Sequence, residues 1–84
     1  MFYVYILRTD RNTLYIGQTN NLAKRLAEHR SHRSRSAKYL RSFASFELVH
    51  QEVYATRTEA LKREWQLKQL TRAQKVAIIS SSIA

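Results

Sequence analysis

The sequence contains no cysteine, no proline and a single glycine, Gly17, in 84 residues. Without cysteine there is no disulfide framework, no thiolate zinc site and no thiol nucleophile, and nothing requires an oxidising compartment. One glycine cannot build a glycine-rich phosphate loop, and turns must be made by Asn, Asp, Ser and Thr. Acidic residues are also scarce: six Asp and Glu stand against fifteen Lys and Arg. A carboxylate-clustered two-metal site is therefore disfavoured, and Glu47 and Glu52, which share a strand, are expected on opposite faces. His29, His32 and His50 lack cysteine partners at zinc-ligand spacing, and no base and orienter for Ser-His-Asp catalysis are visible. Long hydrophobic runs are missing as well. The opening MFYVYILRTD is too short for the apolar part of a signal peptide and has no basic segment before it, and no later run approaches membrane-spanning length. These absences lead to the expectation of a cytoplasmic protein without a membrane partner.

What the chain does carry is a net charge of +9, with 44% hydrophobic residues that include five Tyr, three Phe and one Trp. That apolar content is enough for one small core, so residues 1–84 read as a single domain, with 80–84 as a frayed tail. The charge favours a polyanionic partner, nucleic acid first, and a monomer is the favoured state.

Residues Phe2 to Arg8 alternate aromatic and β-branched side chains and read as a strand; Leu14 to Thr19 reads as a second, joined by the polar link Thr9 to Thr13. Asn20 or Asn21 can cap a helix in which Leu22, Leu26 and His29 recur through Arg30. A short helix is expected around Ala37 to Phe43, and a third strand from Phe46 to Tyr54. Thr56 to Glu59 and Thr71 to Gln74 fit capping boxes that open a helix to about Leu70 and a terminal helix. The order ββα(α)βαα describes an α+β fold, a three-stranded antiparallel sheet flanked by helices.

Chemistry concentrates at a few positions. Glycine inside a strand weakens it and marks a bulge or a close approach. If the hairpin pairs Tyr5 with Gly17, then Tyr3, Tyr5 and Tyr15 share one face, with a recess beside two phenols. On the first helix His29 falls in the apolar stripe and Arg25 at its edge, four residues earlier; each could equally serve packing or solvation. On the next helix Ala60, Leu61, Trp65 and Leu67 span the apolar arc, and Glu64 projects from its middle, with Lys68 four residues on and within the same arc. Glu64 there is either an intrahelical partner of Lys68 or a metal ligand lining a cleft. Arg30, Arg33, Arg35, Lys38 and Arg41 form a stretch without an acidic residue, suited to phosphate contact.

Taken together, these residues resemble the GIY-YIG endonuclease superfamily. Tyr3-Val4-Tyr5 stands where Gly-Ile-Tyr is usual, Tyr15-Ile16-Gly17 matches the Tyr-Ile-Gly half, and LYIGQTNNLAKRLAEH resembles the family's second strand and first helix. The resemblance covers about residues 2 to 78 and is to the small stand-alone bacterial members. It departs at Tyr3, which replaces the first glycine of the family name, and after Glu64, where many active members carry an asparagine. It implies Arg25 and His29 as active-site residues, Glu64 as ligand of one Mg2+ or Mn2+, and Tyr5 as general base; in a mechanism built on these, Tyr15 would hydrogen-bond or orient the water and Lys68 would be a supporting cation beside Glu64. For Tyr5 to act as a base, nearby cations must lower its phenol pKa or His29 must assist. The activity implied is metal-dependent phosphodiester hydrolysis, on DNA ahead of RNA and selective for structure more than sequence. The alternative is a nucleic-acid-binding or adaptor module with the same fold and weak or no nuclease activity.

Overall fold

The structure, a computed structural model, describes residues 1–31 and 46–83, with side chains over residues 1–28 and 46–81. The expected short helix near residue 40 and the basic positions Arg33, Arg35, Lys38 and Arg41 lie outside the described residues.

Strands β1 (Phe2–Thr9), β2 (Leu14–Thr19) and β3 (Phe46–Tyr54) form an antiparallel sheet in the order β2-β1-β3. Helices α1 (Leu22–Ser31), α2 (Arg57–Gln69) and α3 (Arg72–Ile83) complete the fold. α3 thus runs past Ser80, where a frayed tail was expected, with Ile79 buried inside it. No helix among the described residues is long and apolar enough to cross a membrane.

Local chemistry sets each boundary. Between β1 and β2 the Asn12 N–H donates to the Thr9 carbonyl, and the Thr13 N–H to the Thr9 hydroxyl. Asn12 takes φ 64, a left-handed conformation that asparagine tolerates better than most residues. Of the two candidate caps for α1 it is Asn21 whose side chain accepts from the Lys24 N–H, at 3.2 Å. Thr56 accepts from the Glu59 N–H at the start of α2. At α3 the box is reciprocal: the Gln74 N–H donates to the Thr71 hydroxyl, and the Thr71 N–H to the Gln74 side chain.

The central strand is covered on both faces. Val4 and Ile6, with Ile16 of β2, pack against Ala60 and Leu67 of α2 and Ile79 of α3. On the other face Tyr5 and Leu7 pack with Tyr15, Leu22, Leu26, Phe46 and Leu48. Val4, Tyr5, Ile6 and Leu7 are all essentially inaccessible, which explains an apolar run where a one-sided strand would alternate.

Two expectations are corrected. The β1–β3 register shifts between Ile6 and Leu7, where β3 carries an extra residue at Val49. The bulge reverses the alternation, so Glu52, opposite Val4, and Glu47, opposite Arg8, lie on the same face. On α2 the sheet-facing residues are Ala60, Arg63, Glu64 and Leu67, whereas Leu61, Trp65 and Lys68 face solvent.

Glu52 organises the far side of that face. It receives the Arg63 guanidinium (Nε to Oε1, 2.8 Å), the Tyr54 hydroxyl and His50 Nε2 (2.7 Å). Burial alone would raise the carboxyl's pKa, but these partners, Arg63 foremost, outweigh it and hold the value at about 2 against an ordinary 4.5. The Tyr54 phenol is pushed up to about 12, by burial and by its bond to Glu52.

Two tests follow from this packing. A Cβ at position 17 would lie 2.5 Å from the Tyr5 hydroxyl oxygen and 2.7 Å from Cζ; since Tyr5 is buried and cannot swing clear, Gly17→Ala is expected to lower stability by about 1–3 kcal/mol in urea unfolding. Because the Glu52 carboxyl is depressed by folding, its contribution is present above pH 4.5 and disappears as pH falls towards 2. Wild type should lose stability through this group over that window, and Glu52→Gln, less stable at neutral pH, should lack that component of the acid slope.

Candidate functional site along the outer side of β2

Among the described residues strand β2 has a hydrogen-bonded neighbour on one side only, β1, and the predicted residues gather along its other side. The hairpin register pairs Tyr5 with Gly17 and Leu7 with Tyr15, so the two tyrosines lie on one face as expected. Their ring centroids are 6.4 Å apart and their planes inclined by 38°. The Tyr5 ring crosses β2 directly over Gly17, using the space a side chain would fill.

Beyond Gly17 the Tyr5 oxygen meets Arg25 of α1 in a hydrogen bond. Guanidinium carries only donors, so the phenol oxygen accepts. Arg25 reaches it from the edge of the stripe whose Leu22 and Leu26 pack on the Tyr5 face. Its guanidinium is also 3.9 Å from Glu28, at the outer limit of an ion pair. The pKa of the Tyr5 phenol moves opposite to the direction a base requires: burial pushes it up to about 12, and Tyr15 and Glu64 add to the rise, against the lowering by Arg25. At neutral pH Tyr5 is a protonated phenol.

Glu64 approaches from the other layer. A groove over the strand edge is lined by Leu14, Tyr15, Ile16, Glu64, Lys68 and Lys75. Tyr15 belongs to one face of β2, while Leu14 and Ile16 belong to the other, so the groove opens across the edge and brings Glu64 to the side of the tyrosines. The Glu64 side chain is mostly buried, 19% exposed, and Lys68 Nζ lies 3.5 Å from Oε2. The intrahelical pair is therefore present, although Lys68 itself is largely in solvent. Among the described residues no three His, Asp or Glu side chains gather to hold a metal. A single carboxylate beside an open groove fits a magnesium-type ion, which keeps most of its water and takes its remaining ligands from substrate phosphate.

A second cleft opens at the other end of β2, lined by Gln18, Asn21, Lys24, Arg25, Glu28 and Arg57. Arg25 borders this cleft and also contacts Tyr5, and so connects it to the tyrosine pair. His29 and Arg30 belong to the last turn of α1, and their side chains lie outside the described residues. Lys75, Lys24 and Arg57 were not singled out from sequence. Lys24 and Arg57 were visible as cations in the first turns of capped helices, but the path of α3 that carries Lys75 to the groove is a property of packing.

Residues 1–77 match the family description of the GIY-YIG catalytic domain. A UPF0213 protein from Clostridium perfringens is 44% identical over 81 residues, covering 96% of this chain and 85% of its own. A second, from Syntrophus aciditrophicus, is 44% identical over 80 residues, covering 95% and 91%. The solution NMR structure of a UPF0213 protein from Bacillus halodurans superposes with a TM-score of 0.61 at 33% identity, over 95% of this chain and 84% of that one. Matched in sequence and topology over nearly its whole length, the chain belongs to the GIY-YIG family, among its small UPF0213 members.

Proposed function

We propose that the protein is a metal-dependent endonuclease that hydrolyses phosphodiester bonds, acting in the cytoplasm as a monomer on DNA ahead of RNA, by structure more than by sequence. The observation that carries this reading is the convergence of Tyr5, Tyr15, Arg25 and Glu64, from four different elements, on one strand edge. A structural role for any one of them would not require the other three.

Hydrolysis requires water to attack phosphorus, the negative charge on the phosphoryl oxygens to be stabilised, and the bond to the leaving sugar oxygen to break as that oxygen gains a proton. Glu64 is the residue to hold Mg2+ or Mn2+, which when bound would supply Lewis-acid stabilisation of the phosphate oxygens. Arg25 offers a guanidinium to a phosphate oxygen on the tyrosine side, where bidentate geometry is available. Tyr15 orients the attacking water. Tyr5 stands beside it with its oxygen already held by Arg25, so negative charge developing there as the proton leaves would be met by a fixed cation. Lys68 and Lys75 bring positive charge to the same groove, and Arg30, Arg33, Arg35, Lys38 and Arg41 extend backbone contact.

The alternative reading, a binding module without chemistry, draws on the Lys68 contact, which gives Glu64 a purely structural partner. Labelled single-stranded, duplex, flap and branched DNA and matching RNA, incubated with Mg2+, Mn2+ or chelator, separate the two. Metal-dependent scission is expected, reduced about 100-fold or more in Glu64→Gln; tight binding without scission by either protein would establish the binding module.

The role of Tyr5 has its own signature. With a pKa of about 12, its phenolate fraction grows about tenfold per pH unit through neutrality. If Tyr5 takes the proton from water, turnover should climb with that slope and Tyr5→Phe should abolish the climb. A flat wild-type profile would make Tyr5 an orienting hydroxyl instead.

A further inference from the structure

The solvent side of α2 carries the chain's only tryptophan. Trp65 is 63% exposed, and Leu61, one turn earlier on the same side, is 41% exposed. Tryptophan is ordinarily much more buried than this, and at i and i+4 the two form one continuous apolar surface. Its place relative to the site is set by helix geometry. At about 100° per residue, the positions met in turn beyond Glu64, on the flank away from Arg63, are Arg57 two turns earlier at the start of the helix, then Lys68, Leu61 and Trp65. The indole therefore extends the surface of the Glu64 groove outward, with the Lys68 ammonium between.

A cation that can take a phosphate, next to an exposed indole backed by a leucine, is the pairing with which proteins grip unpaired nucleotides: charge on the backbone, ring on the face of a base. In continuous duplex the base faces are covered by their neighbours and unavailable to a side chain. A second copy of the chain is a poorer occupant, because two molecules of net charge +9 repel each other.

We propose that Trp65, supported by Leu61, is a stacking platform for an unpaired nucleobase adjoining the phosphate bound at Glu64 and Lys68, so that single-stranded or frayed nucleic acid is the preferred substrate class. The inference rests on the nuclease reading for the location of that phosphate, and its test is independent of cleavage.

Because Trp65 is the only tryptophan, its fluorescence reports this position alone. The Glu64→Gln protein, titrated in chelator with oligothymidylate, with an abasic oligonucleotide of equal length and with blunt duplex, should show quenching by oligothymidylate only. Trp65→Ala should bind oligothymidylate about tenfold more weakly, equivalent to about 1.4 kcal/mol, with duplex affinity within about twofold and an unchanged melting curve, and Trp65→Phe should recover most of the loss. Equal affinity for the abasic strand, or tight binding of oligothymidylate without quenching, would overturn the stacking role and leave metal-dependent scission untouched. Quenching without scission by wild type would retain stacking and reject the nuclease. Concentration-dependent dimerisation abolished by Trp65→Ala would assign the patch to a second copy and overturn the proposal.

Discussion

Tyr5 can cross β2 only because residue 17 has no side chain, and most of the candidate site is arranged around that crossing. The ring fills the interval between the sheet and α1, where Leu22 and Leu26 close over it. Its oxygen emerges where Arg25 can donate to it, which couples the rotation of α1 to the position of a phenol on the central strand. Tyr15 then lies 6.4 Å away as a direct result of hairpin register. A bulkier residue at position 17 would displace ring, arginine and helix together.

The other layer is aligned by a different device. Arg63 and Glu64 are consecutive on α2 yet serve opposite flanks. Arg63 is tied to Glu52 of β3, and with Tyr54 and His50 on the same carboxylate the helix has little freedom to rotate about its axis. That restraint turns Glu64 towards β2. A charge cluster at one edge of the sheet thereby sets the orientation of the carboxylate at the other edge. Partly buried ion pairs add little net stability in general but fix orientation well.

Much of this was legible in the sequence because local rules were obeyed. The polar link and Gly17 set the hairpin register, and threonine caps marked the starts of α2 and α3 within a residue. The bulge at Val49 was invisible: Leu48, Val49 and His50 offer no glycine or asparagine to flag it, and it moves Glu47 to the face of Glu52. The apolar arc of α2 was misplaced because Leu61 and Trp65 are hydrophobic without being buried, and hydrophobicity is the only guide to burial that periodicity offers. The rise in the Tyr5 pKa could not be anticipated either. It follows from covering β1 on both faces, which depends on where α1 packs, whereas the neighbouring cations visible in the sequence argue for the opposite direction.

The side of β2 that no other described residue pairs with has one more consequence, for colloidal behaviour. An exposed strand edge offers backbone donors and acceptors to any similar edge that approaches, the usual route to edge-to-edge association. This strand has neither proline nor lysine within it to block such pairing. The long-range repulsion of a chain with net charge +9 opposes that approach, and salt screens repulsion of that kind within about 8–10 Å. The same charge that would attract a phosphate backbone thus also opposes self-association, and a polyanion that neutralised it would remove that opposition.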